Sequence, residues 1–211
     1  MKKNFLIAAG FLLAFATWTG LLCVIDVQPI GPQGSAVGFA MVNAWFHQLT
    51  CVHMWLYTVT DWLGLVPVAV GLGFAILGLA QWLRRKKLLK VDYSILMLGG
   101  FYLAVLAVYL LFENVVINRR PVLIDGFLEA SYPSSTTMLV MCVMPTAQMQ
   151  LSSRIKGKVL RKCICCIITM FIVFMVIGRL VSGVHWLSDI IGGALLSAGL
   201  VMLYRAVVKM K

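Results

Sequence analysis

The chain alternates long apolar runs with short polar breaks, and most of the breaks contain lysine or arginine. An α-helix needs about 20 mostly apolar residues to cross the hydrocarbon core of a bilayer. Runs of about that length lie at 4–27, 52–83, 93–117, 134–151, 159–177 and 185–208. The pattern therefore predicts an all-α integral membrane protein, a bundle of six transmembrane helices that forms a single domain over residues 1–211.

The break between the first two runs has a composition of its own. Residues 37–50 mix aromatic and small polar side chains, as in an amphipathic helix that lies flat at the membrane interface. A plain connecting loop fits the same residues. The first run follows two lysines like a signal peptide, but it is longer than an apolar signal region and no small-residue cleavage site follows it. We expect a retained span.

Composition and charge agree with a membrane location. The chain is 62% hydrophobic and 12% charged, with a formal net charge of +11. Cytoplasmic loops of membrane proteins collect lysine and arginine, and 15 of the 18 basic residues fall in breaks on one side of the predicted bundle. They are Lys2, Lys3, Arg84, Arg85, Lys86, Lys87, Lys90, Arg154, Lys156, Lys158, Arg161, Lys162, Arg205, Lys209 and Lys211. This sorting predicts cytoplasmic termini and contact with anionic lipid headgroups, not nucleic acid binding.

The three remaining basic residues lie on the opposite, outer side. They are Arg119, Arg120 and Arg179. Residues that run against the orientation bias need another explanation, and the planar guanidinium group suits bidentate recognition of phosphate. We expect an anion site at the outer membrane boundary.

Two ionisable residues near Arg179 carry further chemistry. His185 and Asp189 are four positions apart at the start of a predicted helix, so their side chains share a face. The aspartate can hold one ring nitrogen and leave the other free as a nucleophile or base. The alternative is an interfacial histidine with a chance acidic neighbour.

The stretch "SYPSSTT", residues 131–137, predicts a second anion site. Pro133 precedes Ser134, Ser135 and Thr136, an order typical of a helix start. Free backbone amides and the helix dipole favour negative charge there. Ordinary capping is the alternative. The six cysteines predict neither a disulfide framework nor a metal centre, because the Cys163, Cys165 and Cys166 group has no histidine or carboxylate nearby.

These residues together resemble the type 2 phosphatidic acid phosphatases, a family of six-helix membrane enzymes. The family pattern reads Lys-x6-Arg-Pro, Pro-Ser-Gly-His and Ser-Arg-x5-His-x3-Asp. Arg120 matches the first part, Ser134 the second, and Arg179, His185 and Asp189 the third with its full spacing. The resemblance implies metal-free phosphate ester or anhydride hydrolysis. It implies that His185 attacks phosphorus, that Asp189 orients it, and that the arginines and Ser134 bind the phosphoryl oxygens.

The sequence departs from the family pattern at positions that concern the chemistry. Glu113 replaces the lysine, so it must point away, pair with Arg119 or Arg120, or meet a donor group on the substrate. We expect Arg119 to supply the missing charge. Ser135 and Thr136 replace the Gly-His pair, and Gly178 replaces the serine.

The loss of the second histidine bears on substrate choice, because the family's histidine protonates the departing oxygen. The absence of a general acid lowers the reaction rate least when the leaving group is itself a phosphate, because the second pKa of phosphate is only about 6. We therefore expect isoprenyl diphosphate to be favoured over phosphatidic acid. The alternative is that His47 or His53 acts as the general acid. The sequence favours an interfacial position beside tryptophans for both histidines over that role.

The sequence thus predicts a lipid phosphatase of the cell membrane that works at the extracytoplasmic side without metal or cofactor. A phosphotransferase using the same phosphohistidine and a catalytically silent lipid-phosphate binder are the alternatives. The sequence leaves the oligomeric state open.

Overall fold

Helices make up most of the computed structural model, which describes residues 2–210. The helices within that range are α1 (Lys2–Val24), α2 (Ala40–Thr50), α3 (Met54–Leu63), α4 (Leu65–Arg85), α5 (Tyr93–Asn114), α6 (Ser135–Arg154), α7 (Lys158–Val181) and α8 (Leu187–Val208). Met1 and Lys211 lie outside the described residues, and Lys211 is one of the basic residues counted in the predicted orientation. Within 2–210 the chain pairs as β structure only in isolated bridges.

Several helices are long and apolar enough to cross a membrane, so the chain is a multi-pass membrane protein. Five candidate spans lie in the described part of the chain, at Lys2–Val24, Met54–Arg85, Tyr93–Asn114, Lys158–Val181 and Leu187–Val208. The second contains both α3 and α4, because Gly64 between them keeps helical backbone angles. These five correspond to predicted spans.

The remaining predicted span, 134–151, corresponds to α6 (Ser135–Arg154), which has a different character. Half of its 20 residues are buried, and it packs against α4, α5, α7 and α8. A helix surrounded by protein can carry polar side chains that would be unfavourable against lipid. Gln150 of α6, for example, donates to the Tyr204 hydroxyl of α8 over 2.5 Å. The hydropathy of α6 is weaker for this reason.

Hydrogen bonds fix the relative directions of the helices. The backbone N–H of Ser134, just before α6, donates to the Asp189 carbonyl in the first turn of α8 (3.1 Å). Near the other ends of these helices lies the Gln150 contact with Tyr204, so α6 and α8 run parallel. Tyr204 also donates to the Ser94 carbonyl at the start of α5 (3.3 Å), so α5 runs antiparallel to both.

The remaining long helices follow the same alternation. Trp18 near the end of α1 donates from Nε1 to the carbonyl of Ser188 (3.1 Å), and Arg179 near the end of α7 contacts Tyr57 of α3. The starts of α3, α6 and α8 therefore meet the ends of α1, α5 and α7. We call this end of the bundle the site end.

The segment 37–50 contains α2, so the interpretation as a plain loop is wrong. Asn43 of α2 is buried, and it donates from Nδ2 to the Ser188 hydroxyl (2.9 Å) and accepts from the Ser188 backbone N–H (3.1 Å). Met41 and Trp45 are exposed on the other side. The helix thus has a polar anchor against the site end and an exposed apolar face.

The connection between α5 and α6 folds back on itself, which the hydropathy pattern did not predict. The Arg120 N–H donates to the Glu129 carbonyl (3.1 Å), and the Ser131 N–H donates to the Asn118 carbonyl (2.9 Å). We call residues 115–134 the hairpin loop. It brings Asn118 and Arg120 beside Ser131 at the site end.

Gly183, in the turn between α7 and α8, allows a close approach of two backbone segments. Its φ is 70°, and a Cβ at this position would lie 2.0 Å from the carbonyl oxygen of Cys51. Gly126 in the hairpin loop has a similar φ of 83° but no neighbouring atom within 4 Å of such a Cβ. The two glycines thus share a left-handed backbone conformation and differ in whether a neighbouring backbone is close, so Gly126 can serve as the control for Gly183.

We predict that Gly183→Ala destabilises the protein by about 3 kcal/mol, because backbone overlap adds to the left-handed strain. Gly126→Ala, with the strain alone, is expected to cost about 1 kcal/mol. Thermal unfolding in detergent measures both. Equal losses for the two variants would contradict the close packing of Gly183 on Cys51.

Candidate active site

The loop between α7 and α8 buries His185 at the site end. The His185 residue is 3% exposed. Its position follows from Gly183, whose left-handed turn redirects the chain, and from Trp186, whose indole N–H donates to the Arg119 carbonyl of the hairpin loop (2.7 Å). The imidazole is therefore held between the hairpin loop and the first turn of α8.

Asp189 lies one turn into α8 and is fully buried. One carboxylate oxygen accepts from the Trp186 backbone N–H (2.9 Å) and from the Ser131 hydroxyl (2.5 Å). The other accepts from Asn118 Nδ2 (3.1 Å). A buried carboxylate needs such donors, since burial without partners costs several kcal/mol. These donors therefore tie the hairpin loop to the start of α8.

The predicted contact between His185 and Asp189 is made through Ser131. His185 Nδ1 lies 3.9 Å from Asp189 Oδ2, too far for a hydrogen bond. The Ser131 hydroxyl oxygen lies between them, 3.0 Å from Nδ1 and 2.5 Å from Oδ2. A hydroxyl has one proton, and the carboxylate accepts it. The Ser131 oxygen therefore accepts the N–H of Nδ1, which leaves Nε2 with its lone pair.

Arg120 is the donor that faces this nitrogen. Its NH1 is 3.4 Å from His185 Nε2, and its Nε is 3.0 Å from the Glu129 carboxylate without hydrogen-bond geometry. The carboxylate at Arg120 is therefore that of Glu129, and not that of Glu113, for which pairing with Arg119 or Arg120 was one of three alternatives. The guanidinium also lies 5.9 Å from the centre of the Tyr57 ring.

Arg179 approaches the same ring from α7. Its Cζ lies 4.7 Å from the centre of the Tyr57 ring, a cation–π distance. Its amino groups contact the Thr60 hydroxyl (3.4 Å) and the carboxylate of Asp61 (3.6 Å). Tyr57 therefore braces both guanidinium groups at the site end.

Three buried polar atoms around His185 have no hydrogen-bond partner within the described residues. They are Arg179 Nε, the Ser134 hydroxyl and Arg120 Nε, which has the ion-pair contact with Glu129 but no hydrogen bond. Ser35 Oγ and Thr137 Oγ1 are two further buried atoms of this kind. Buried donors are normally paired, so unpaired ones concentrated at one site indicate a place for an acceptor. Ser134 precedes the first turn of α6, whose amides favour anions. The arrangement suits a phosphate group, whose oxygens could accept from Arg120, Arg179 and Ser134 while phosphorus faces Nε2.

Burial and nearby charge act in the same direction on His185. Loss of water, and then the positive charges of Arg120 and Arg179, lower its pKa well below the usual 6.5. The imidazole is therefore neutral at neutral pH. A neutral nitrogen beside an anion site, with a lone pair that has only the long contact from Arg120 NH1 (3.4 Å), is suited to nucleophilic attack on phosphorus.

Ser135 and Glu113 line one crevice with His185. This crevice has a volume of about 20 Å³ and also borders Tyr109 and Ser131, which leaves room for about one water molecule. Glu113 is exposed and hydrogen-bonds to Tyr109. Its predicted contact with substrate stays a prediction, and this crevice is where it would occur.

The other predicted site residues are placed as follows. Arg119 donates to the Leu128 carbonyl (3.0 Å), so its guanidinium braces the hairpin loop, and its role toward phosphate stays a prediction. Thr136 packs toward Gly64 at the junction of α3 and α4. His47 Nε2 contacts the Gly183 carbonyl (3.1 Å), which gives it a structural partner. His53 lies half-buried at the start of α3.

Sequence reasoning missed several residues of the site, namely Tyr57, Asp61, Asn118, Glu129 and Ser131. Asp61 carried a signal, because it is a lone carboxylate in an otherwise apolar predicted span. Asn118 and Ser131 carried none, since only the fold of the hairpin loop brings them to Asp189. Over residues 2–210 no three histidine, cysteine or acidic side chains are grouped so as to hold a metal ion.

The low pKa of His185 predicts a pH-dependent stability. In the unfolded chain the histidine takes up a proton below about pH 6.5, but in the folded protein its pKa lies well below that value. The unfolded state therefore binds more protons, and stability falls as pH falls. Between pH 6.5 and 5 the wild type should lose about 1.5 kcal/mol more than His185→Gln. Thermal unfolding of both proteins across this range measures the difference, and parallel curves would contradict a neutral buried His185.

Comparison with known proteins gives the family. Residues 96–211, more than half of the chain, match the model of the PAP2 superfamily. A solved structure, the first transmembrane PAP2-type phosphatidylglycerolphosphate phosphatase from Bacillus subtilis, has a similar fold. The TM-score is 0.66 over 97% of this chain and 96% of that chain, at 19% sequence identity. No curated protein sequence matches the chain. The resemblance seen in the sequence motifs is confirmed, and the chain belongs to the PAP2 superfamily.

Proposed function

We propose that this protein is an integral membrane lipid phosphatase that hydrolyses a lipid phosphate or diphosphate through a phosphohistidine on His185. The observation that carries the proposal is a buried, neutral imidazole whose Nε2 keeps its lone pair and has one long contact, 3.4 Å, from Arg120 NH1. Nε of Arg120, Nε of Arg179 and the Ser134 hydroxyl, which have no hydrogen-bond acceptor among the described residues, belong to the same site. A purely lipid-binding site has use for the donors. It has none for a histidine oriented through Ser131 and Asp189.

The proposed reaction has two displacements at phosphorus. Nε2 attacks, a P–N bond forms, and the bond between phosphorus and the bridging oxygen breaks, with its electron pair leaving on the alcohol or phosphate. The ring becomes positive, and Ser131 and Asp189 support that charge from the Nδ1 side. Water then attacks phosphorus, the P–N bond breaks with its electron pair returning to Nε2, and inorganic phosphate leaves. The proton that water loses balances the one taken up by the oxygen released in the first step. Arg120 and Arg179 offset the phosphoryl charge, so the proposal requires no metal.

The proposed topology has six spans, with α6 as the fourth, and both termini in the cytoplasm. The alternating helix directions support it, since they place 14 of the 15 basic residues, those within residues 2–210, at or beyond the helix ends opposite His185. Positive residues are retained on the cytoplasmic side. The active site would then open at the extracytoplasmic face of the cell membrane, where the exposed apolar face of α2 can contact lipid.

The proposed substrate preference is for isoprenyl diphosphate over phosphatidic acid. Thr136 occupies the position of the family's acid and has no group able to protonate a strongly basic alkoxide. A phosphate leaving group needs little such help. Phosphatidylglycerolphosphate, the lipid after which the similar Bacillus subtilis phosphatase is named, is a monoester and belongs with phosphatidic acid in this comparison.

We predict that the purified protein releases phosphate from an isoprenyl diphosphate in the presence of a chelator, and that His185→Ala lowers the rate at least about 10³-fold. His53→Ala, a change of the half-buried histidine at the start of α3, is the control and should stay within about threefold of the wild type. Turnover by His185→Ala at the wild-type rate would refute the nucleophile. Transfer to an added alcohol in place of water would favour the phosphotransferase.

We predict further that kcat/KM for isoprenyl diphosphate exceeds that for phosphatidic acid and phosphatidylglycerolphosphate by about 10² or more, the size of typical general-acid help. The three lipids are compared at equal mole fraction in one detergent. Thr136→His restores an acid at this position and should raise the rate on the monoesters more than on the diphosphate. Faster turnover of either monoester by the wild type would contradict the preference.

A further inference from the structure

Each phosphate-site arginine is paired with a carboxylate that the proposed reaction does not use. Arg179 NH2 lies 3.6 Å from Asp61 Oδ1, and Arg120 Nε lies 3.0 Å from Glu129 Oε2. The arginine side chains are 1% and 9% exposed, whereas the carboxylate side chains are 57% and 45% exposed. Both pairs therefore join a buried cation to an anion that is partly exposed on the protein surface.

The cations of these pairs have several contacts within the protein, whereas the anions are partly exposed. The guanidinium groups of Arg120 and Arg179 both lie against the Tyr57 ring, and Arg179 has further contacts with the Thr60 hydroxyl. Asp61 and Glu129 reach the arginines from different elements, α3 and the hairpin loop. Rotation of either carboxylate away from its arginine would leave the guanidinium groups on the Tyr57 ring.

The charged side chain of Asp61 is energetically unfavourable in its position within a candidate membrane span. It is the sole acidic residue in the candidate span Met54–Arg85, and charged groups inside spans are retained where they have a function. Its distance of 3.6 Å from Arg179 makes a loose ion pair, which is weak as a source of stability. A role in ligand exchange accounts for it better.

We propose that Asp61 and Glu129 are specificity-determining residues that set a charge threshold for the site, a proposal that rests on the proposed function. An incoming anion must displace a carboxylate from each arginine. A phosphodiester carries one negative charge and gains no more from the arginines than the carboxylates already do. A terminal phosphate group carries about 1.5 to 2 negative charges at neutral pH, and so its exchange is favourable.

A charge threshold would prevent abundant phosphodiester headgroups from competing for the phosphate site. Membrane phospholipids with phosphodiester headgroups surround the protein in large excess over lipid phosphates. Two unpaired arginines would bind either kind of headgroup, because guanidinium groups recognise phosphate oxygens generally. The carboxylates restrict the site to monoesters and diphosphates without any contact to the lipid tail.

The test measures anion binding by its effect on the melting temperature at pH 8 and constant ionic strength, in non-ionic detergent. The probes are inorganic phosphate, mostly a dianion at this pH, and dimethyl phosphate, a monoanion. Phosphate should raise the melting temperature of the wild type, and dimethyl phosphate at the same concentration should not. Asp61→Asn and Glu129→Gln should each strengthen dimethyl phosphate binding about fivefold, the upper range for a partly exposed ion pair.

Asp125→Asn is the matched control. Asp125 is exposed in the same hairpin loop as Glu129 and has a left-handed φ of 49°, which asparagine tolerates. The substitution removes one negative charge, as the other two variants do, but leaves both arginine–carboxylate pairs intact. This variant is therefore expected to be stabilised by phosphate and not by dimethyl phosphate, like the wild type.

The proposal is overturned if both Asp61→Asn and Glu129→Gln keep the wild-type preference for phosphate, if Asp125→Asn changes it as much, or if phosphate does not stabilise the wild type. One folded variant of the two is enough for the comparison. The readout needs no turnover, so a protein that shows the expected binding pattern but releases no phosphate from any lipid refutes the hydrolase and not the threshold.

Discussion

The buried carboxylate of Asp189 is the constraint from which the rest of the site follows. It is fully buried, and a carboxylate in that place needs donors on every side. The backbone N–H of Trp186, at the start of α8, donates one hydrogen bond to it. The side chains of Asn118 and Ser131 donate two more from the hairpin loop. Satisfying this one charge fixes the loop against α8, and the same serine sets the tautomer of His185.

The positive half of the site is organised around Tyr57 in a comparable way. The guanidinium groups of Arg120 and Arg179, which repel each other, both contact the Tyr57 ring. Each also pairs with a carboxylate, Arg120 with Glu129 and Arg179 with Asp61. Charge is therefore balanced before any ligand arrives, which limits the cost of burying two cations side by side. A phosphate group takes over the role of the carboxylates, so the same interactions that stabilise the folded site also select its ligand.

The sequence was sufficient for what depends on local spacing and hydropathy. Five candidate spans, the family and the neighbourhood of His185 and Asp189 could be read from it, because helical periodicity and short motifs are local. The weak hydropathy of α6 reflects its burial in protein, which only packing reveals. Ser131 as the bridge to His185 depended on how the hairpin loop folds, and no motif encodes that. Glu129 was likewise invisible as the partner of Arg120, for which Glu113 had seemed available.

The most direct test of the central claim is to trap the phosphoryl group on the protein. The enzyme is mixed with an isoprenyl diphosphate labelled in its terminal phosphate, quenched in alkali within milliseconds, digested and mapped by mass spectrometry. The account predicts an acid-labile phosphoryl group on Nε2 of His185, more abundant in a Ser131→Ala variant if loss of the bridge slows the second step more than the first, and absent in His185→Ala. Phosphate release with no labelled His185 at any quench time would contradict the account, because water would then attack the substrate directly.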